Sequence, residues 1–485
     1  MSLECVRRDH TYSLSSGDQR GPFLSARALG MALGALHDVR SVVAGSATKL
    51  LSLPIPASLL PLPSPKERDL AAAAACHQVL RLRYPNQASM LEPAWLNWLD
   101  HFAMGPAKTP VEMVGRAYGT AVHQFGKDDM TKVRAAYAPD GTPYNYKAPP
   151  TQSSQGFLGG VWGNSTPLAA ARVMDFPPPP GHLDADTVTP SQHHRGDLGS
   201  VAVKGEINRS PGDPAFRTLA EEVIGIAWGD DGSQELGTPP RLYLQVVLTV
   251  LDSIEARNPG RLEELDELGV IAGAAVAMAD AGIDAWYYKY APSHMMWRPA
   301  VGIREAVAGN GAPDRNWLPL GRPDTNGAGT GLTPDFPAYP SGPATFGAAA
   351  FQLLRLFLVA RGVSSFDPSG SGLDDVRFDF VSDEFDGRHR DPRNRRPRDL
   401  LTLSYDSLWQ AMVDNAVSRA YLGVHWQFDG ITSRRPGTDD DVFGVPATPR
   451  ELGHTGGVWL GAKIANQIAQ KINIPIATIA ASGIL

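Results

Sequence analysis

The chain has 485 residues, with 44 Lys+Arg against 51 Asp+Glu and a formal net charge of −7. That balance excludes a general nucleic-acid binder, which needs a basic face to displace counterions from phosphate. Hydrophobic residues at 43% fit a globular protein, Gly 49 and Pro 41 predict long ordered loops, and two cysteines cannot build a disulfide scaffold or a four-thiolate zinc site.

The N-terminal stretch MSLECVRRDH carries basic residues with no apolar run behind them. It does not read as a secretory leader, and the expected location is cytoplasmic by default. Cys5 and Cys76 are read as free thiols. Residues 26–62 are apolar on average but contain His37, Asp38, Arg40 and Lys49 and are cut by Pro54 and Pro56. A spanning helix needs about 20 apolar residues with few or no charges, so no membrane span is expected. Residues 1–66 are read as an N-terminal arm, a natural oligomer contact. Residues 67–485 are read as one large all-α helical domain. Helical spacing of apolar residues predicts helices over 69–82, 216–228, 241–257, 262–281, 346–359, 404–425 and 459–472. The helix over 346–359 is apolar nearly all round and so should be central. The connectors 139–156, 175–199, 310–341 and 367–399 are long and rich in turn residues, which in a folded domain points to function or to wrapping a partner. The tail 474–485 is apolar but too short to span. No repeat of 20–50 residues is present.

Familiar catalytic signatures are missing: there is no GxxxxGK[ST], HExxH, CxxC or GxSxG. His193 and His194 adjoin in a polar loop, where a surface position is the simpler reading than a metal site. Arg388, Arg390, Arg393, Arg395, Arg396 and Arg398 alternate with acids. Two readings stand: local pairing with carboxylates, or an electrostatic funnel for a small anion.

Three segments carry chemistry together. They are residues 289–299, ending in Trp297-Arg298-Pro299; residues 336–344, FPAYPSGPA; and residues 418–429, SRAYLGVHWQFD. Ser341 is a favoured N-cap, and Pro343 suits the first turn of the helix that follows. The Ser341 hydroxyl and Gly342 amide therefore lie at a helix N-terminus, where anions bind. Arg298 and Arg419 offer forked donors for a tetrahedral oxyanion. On one continuous helix, His425 and Asp429 would share a face, letting the carboxylate set the imidazole tautomer. Two arginines, a serine, a helix N-terminus and an oriented histidine suit phosphate, and equally vanadate.

These segments resemble the vanadium-dependent haloperoxidases, within the type 2 phosphatidic acid phosphatase superfamily. The superfamily's signature is Lys-x6-Arg-Pro, Pro-Ser-Gly-His and Ser-Arg-x5-His-x3-Asp, and the third segment is intact from Ser418 to Asp429. The stretches GLTPDFPAYPSG, ATFGAAAFQLLR and AVSRAYLGVHWQFDGI are most similar to the red-algal and cyanobacterial bromoperoxidase branch. So are VWGNSTPL, GTPPRLYLQ and GGVWLGAKIA, which extends the resemblance over roughly residues 150–470.

The resemblance implies a vanadate cofactor held at V(V), acting as a Lewis acid, with phosphate as a surrogate. Hydrogen peroxide and halide, bromide first, would be the substrates. Hypohalous acid would be the product and small organic acceptors its targets. It implies His425 as the vanadium ligand and Lys289, Arg298, Ser341, Gly342 and Arg419 around the vanadate oxygens. It places Asp429 and Phe336 behind them and implies a homo-oligomer, a dodecamer in that branch.

Two departures stand out. The family's acid–base histidine, fourth in Pro-Ser-Gly-His, is Pro343 here, which has no proton to give. The family's lysine spacing falls on Ala291; the nearest lysine is Lys289, which would need a bulge or insertion to reach the site. His294, four residues before Arg298, would stand in for the missing histidine only on a continuous helix. The same pocket also allows a vanadate or phosphate binder without full turnover, or a soluble acid phosphatase.

Overall fold

The computed structural model describes residues 1–15, 17–57, 59–100, 108–133, 137–180, 200–208, 216–305 and 313–485. The pair His193 and His194 lies outside the described residues. The helices in chain order are α1 Ser2–Asp9, α2 Pro22–Val43, α3 Pro65–Arg83, α4 Ala88–Asp100, α5 Lys108–Phe125, α6 Asp129–Val133, α7 Leu219–Ala227 and α8 Pro239–Arg257. They continue as α9 Glu264–Tyr290, α10 Pro299–Glu305, α11 Gly342–Ala360, α12 Leu408–Tyr421, α13 Gln427–Gly430, α14 Gly457–Lys471 and α15 Ile476–Ala481. The strands are minor: β1 Phe378–Phe380 pairs antiparallel with β2 Leu403–Tyr405, setting Phe378 against Tyr405, and β3 Ser433–Arg434 pairs with β4 Asp441–Val442. The all-α expectation holds.

α9 and α11 form the centre. α9 packs on α2, α11, α14 and α8, and α11 packs on α14, α9, α12 and α8. Both are long and apolar enough to cross a membrane by composition, but 89% of each such window is buried inside the protein, as in a core helix. α9 outruns its expected end at 281 and reaches Tyr290, because its buried face continues through Ala285 and Trp286. Two acids on this apolar helix act as anchors. Asp280 accepts the Leu168, Ala169 and Ala170 amides, and Asp284 accepts that of Val173, at 2.6–2.9 Å. They tie the 168–173 connector onto the core and satisfy its backbone donors.

Close approach of α14 to α11 depends on glycine. A Cβ at Gly461 would stand 2.1 Å from the Thr345 carbonyl oxygen, and one at Gly457 would stand 2.5 Å from that of Ser341. Neither contact is tolerable, so these two glycines set where the first turn of α11 sits. Within residues 1–66, α2 is an integral helix of the body, packed on α9 and α3. Ser64 and Glu67 form a capping box that starts α3. Cys5 and Cys76 are buried free thiols, as expected from the sequence.

α12, which carries Arg419, also carries a titrating carboxylate. Burial pushes Asp414 up to about 6, against the lowering effect of the Tyr405 hydroxyl. A folded value above the unfolded 3.8 stabilises most below pH 3.8, and that contribution is lost as pH rises through about 6. Asp414→Asn is therefore expected to raise Tm by a few degrees at pH 8 and to leave it unchanged at pH 3.5, read by thermal unfolding at both.

Candidate active site

The three segments read from the sequence meet, laced by backbone bonds. Ala338 N–H donates to Met296 O at 2.8 Å, Ser341 N–H to Asp429 O at 2.7 Å, and the Trp426 indole to Trp297 O at 2.9 Å. Lys289, Arg298, Ser341, Arg419, His425 and Asp429 are all at most 1% exposed.

His425 is not on a helix with Asp429, contrary to the expected helix over 404–425. α12 ends at Tyr421, and Gly423 follows with φ +70. A glycine in the left-handed region just past a helix is the usual stop, and Gly423 was the signal in SRAYLGVH. The chain there also passes Gly205 so closely that a Cβ at Gly423 would lie 2.5 Å from the Gly205 carbonyl oxygen. His425 occupies the turn before α13, and the pair forms nonetheless. His425 Nδ1 lies 2.9 Å from Asp429 Oδ2, which also accepts the Trp426 amide at 2.9 Å. With Nδ1 protonated toward the carboxylate, Nε2 presents its lone pair. Burial, reinforced by the Arg298, Lys289 and Arg419 cations, holds the imidazole well below its usual pKa, so it is neutral.

Arg298 Nη1 donates to His425 Nε2 at 2.9 Å and to Val424 O at 2.7 Å, and its Nε donates to Phe336 O at 2.9 Å. Arg419 lies beside the Tyr243 hydroxyl and is held through one nitrogen. Its Nη2 donates to Trp228 O at 2.6 Å, while Nε and Nη1 are buried without an acceptor. Ser341 caps α11, its Oγ accepting the Ala344 amide at 3.4 Å. Gly342 is the first residue of α11, and its N–H has no intrahelical partner.

Lys289 reaches the centre without a bulge. It lies in the last turn of α9, and its ammonium donates to the carbonyls of Pro337, Ala338 and Pro340. Burial and the neighbouring Arg298 lower its pKa well below the lysine range, yet three acceptors match the three hydrogens of an ammonium. Lys289 therefore clamps the 337–340 loop that leads to Ser341. Phe336 lies over both cations, 5.2 Å from Lys289 Nζ and 5.1 Å from Arg298 Cζ.

His294 is elsewhere. α9 stops at Tyr290, so His294 and Arg298 share no helix. Its ring bonds Ser293 Oγ at 2.8 Å and Phe176 O at 3.0 Å and stacks on Phe176. Pro343 is buried in the first turn of α11, and its carbonyl accepts Asn415 Nδ2 at 3.0 Å. In the arginine-rich segment, Arg393 pairs with Asp391 and Glu222, and Arg398 with Glu384 and Asp391, which favours local pairing there.

Sequence reasoning missed Trp286, whose ring lies 4.8 Å from that of Phe336 and 5.4 Å from Lys289 Nζ. The spacing Trp286–Lys289, three residues apart on one helix face, was the available signal. It also missed the anchoring of Arg419 on Trp228, which no local pattern announces.

Within this buried centre three cations, Lys289, Arg298 and Arg419, face one carboxylate, Asp429. Uncompensated buried charge is expensive. The idle Nε and Nη1 of Arg419 and the open Gly342 amide are the donors a tetrahedral oxyanion would take up, and neutral His425 Nε2 is a metal-ligand form. The residues thus fit vanadate.

Fold and site define a helical-bundle protein with a buried, cation-rich centre. The family model described as the VCPO second helical-bundle domain matches residues 269–439, which span all three segments. Vanadium chloroperoxidase of Curvularia inaequalis is 28% identical over 96% of this chain and 88% of its own length. A bacterial vanadium-dependent iodoperoxidase superposes with TM-score 0.61 at 18% identity, covering 97% of this chain and 94% of that one. A holo-type bacterial vanadium-dependent chloroperoxidase superposes with TM-score 0.63 at 13% identity, covering 98% and 96%. The chain is thus similar in sequence to a vanadium chloroperoxidase over nearly its whole length, and it shares the fold of the bacterial vanadium-dependent haloperoxidases.

Proposed function

We propose that the protein is a vanadate-dependent haloperoxidase that oxidises halide, bromide preferred, with hydrogen peroxide to hypohalous acid. The observation that carries this reading is the excess of buried cations around His425, with two Arg419 donors lacking any acceptor. Bound vanadate would supply a Lewis acid that polarises peroxide at constant oxidation state. His425 would hold it through Nε2, with Asp429 fixing the tautomer. With vanadate bound, Arg298 would give up its hydrogen bond to His425 Nε2 and donate to the anion instead. Arg419, Ser341 and Gly342 would take the remaining oxygens. Lys289 keeps the 337–340 loop in register and adds positive charge beneath it. Bromide is placed first because residues 331–342 and 416–431 resemble the bromoperoxidase branch.

Pro343 favours a second reading, of an oxyanion binder with weak turnover, because no acid–base group stands at that position. It weighs more heavily against a phosphatase, in which a proton must reach the leaving oxygen as His425 attacks phosphorus. Initial rates of chloride, bromide and iodide oxidation with and without vanadate, beside p-nitrophenyl phosphate hydrolysis, separate the three. Vanadate-dependent bromide oxidation supports the proposal. Binding without turnover supports the second reading, and hydrolysis alone supports the third.

Arg419→Lys tests the fork. A lysine cannot place two donors where Nε and Nη1 stand, nor keep the bond to Trp228 O at the same time. Vanadate affinity is expected to fall about tenfold or more, the loss of a charge-assisted contact, measured by equilibrium dialysis. Affinity equal to the parent's would remove Arg419 from the pocket.

A further inference from the structure

One side chain of α8 reaches the wall of the candidate oxyanion site. Tyr243 is fully buried, and its hydroxyl donates to Asn415 Oδ1 at 2.8 Å. Asn415 Nδ2 donates in turn to the Pro343 carbonyl at 3.0 Å, in the first turn of α11. Asn415 stands four residues before Arg419 on α12, so the two share a helix face. The Arg419 guanidinium lies beside the same Tyr243 hydroxyl. A single phenol thus meets both walls of the site, the one that carries the Gly342 amide and the one that carries Arg419. A glycine makes the room: a Cβ at Gly347, one turn along α11 from Pro343, would stand 2.3 Å from Asn415 Nδ2.

The direction of each hydrogen in this chain is fixed. A backbone carbonyl only accepts, so the Asn415 amide nitrogen must face Pro343 O, which leaves Oδ1 facing Tyr243. Oδ1 carries no hydrogen, so the phenol hydrogen points at it. Burial pushes the Tyr243 pKa up, and Arg419 pulls it back only in part, so that hydrogen stays in place. What the hydroxyl turns toward Arg419 is therefore lone-pair density. Arg419 is tied to Trp228 O through Nη2 alone, while Nε and Nη1 have no acceptor. The phenol oxygen attracts the guanidinium without claiming either of those two nitrogens.

We infer that Tyr243 is a positioning residue of the oxyanion site: it fixes the orientation of the Arg419 guanidinium, keeps Nε and Nη1 open to the anion, and gives no proton to the reaction. The inference rests on the reading of the pocket as an oxyanion site. The acid–base vacancy at Pro343 is accordingly not filled from α8, because the one hydroxyl that α8 brings there has its hydrogen committed to Asn415.

Tyr243→Phe removes the hydroxyl and keeps the ring, which packs edge-on against Phe351 at 5.6 Å. Vanadate affinity, measured by equilibrium dialysis, is expected to fall about three- to tenfold, the weight of one polar contact with a charged group. In an Arg419→Lys background the same change should cost less than about twofold, because an ammonium has no plane to orient. The unfolding temperature should drop by the same amount in both backgrounds, since the buried Asn415 Oδ1 loses its donor in each. A purely structural role would move the unfolding temperature and leave no coupling to Arg419 in the affinity. Vanadate affinity equal to the parent's, or an equal fall in both backgrounds, would overturn the inference. So would slower bromide oxidation at saturating vanadate with the affinity intact, which would make the hydroxyl a proton donor. If the expected coupling occurs in a protein that oxidises no halide, the positioning role stands and the haloperoxidase reading fails. A parent protein that binds no vanadate would overturn both.

Discussion

Replacement of His425 by alanine is expected to abolish stoichiometric vanadium binding while the protein stays folded. Among the described residues, His425 brings a neutral imidazole to the centre of the three segments, with Nε2 facing Arg298 and Nδ1 committed to Asp429. Losing an orienting partner alone costs about 10–100-fold in metal affinity, so losing the ligand itself should cost about 100-fold or more. Asp429→Asn provides the comparison. It keeps the ligand but weakens its orientation, and should fall within that smaller range. The fold should survive His425→Ala because the segments are joined through backbone bonds that do not involve this side chain. Vanadium content after equilibrium dialysis, together with thermal unfolding, decides the matter. Stoichiometric vanadium in His425→Ala would refute the assignment.

The second large effect runs in the opposite direction. Pro343→His is expected to raise bromide oxidation about tenfold or more, the lower part of the range for a positioned acid–base group. Pro343 sits in the first turn of α11, where a missing amide hydrogen costs nothing, so the helix does not depend on it. Its carbonyl bond to Asn415 is a backbone feature and survives substitution. Imidazole is larger than the proline ring and the position is buried, so some loss of stability should accompany the gain. Pro343→Ala separates the causes: it removes the ring without supplying a proton donor and should leave the rate unchanged. A histidine variant no faster than the alanine variant would show that proton transfer at this position does not limit the reaction. His294→Ala should also leave the rate unchanged, because that ring is held by Ser293 and Phe176 away from the centre.

Much of the bundle was legible because helical periodicity is a local property. The helices over 65–83, 239–257, 342–360 and 457–471 lie within a few residues of their expected bounds. α2 was not expected as a helix. Its charged residues read as interruptions, yet Asp38 is buried and accepts the Leu50 and Leu51 amides, and Arg40 pairs with Asp69. Tertiary partners for those charges are invisible in a one-dimensional pattern.

The residue types of the candidate oxyanion site were determined by the sequence alone. Arg298, Ser341, Gly342, Arg419, His425 and Asp429 stand in spacings that name their chemistry, and a helix N-terminus at Ser341 follows from Ser-Gly-Pro ahead of an apolar run. Only the tertiary structure decided how they are used. It brought together segments more than a hundred residues apart, through bonds such as Trp426 to Trp297. It moved His425 off the helix into a turn, because Gly423 stops α12 where the chain crosses Gly205. It turned Lys289 onto three loop carbonyls, and it left two Arg419 nitrogens without acceptors. The physical reason is common to all of these. Residue spacing defines which faces and turns a chain can form, whereas the partner of a buried charge is set by whatever distant backbone packs against it.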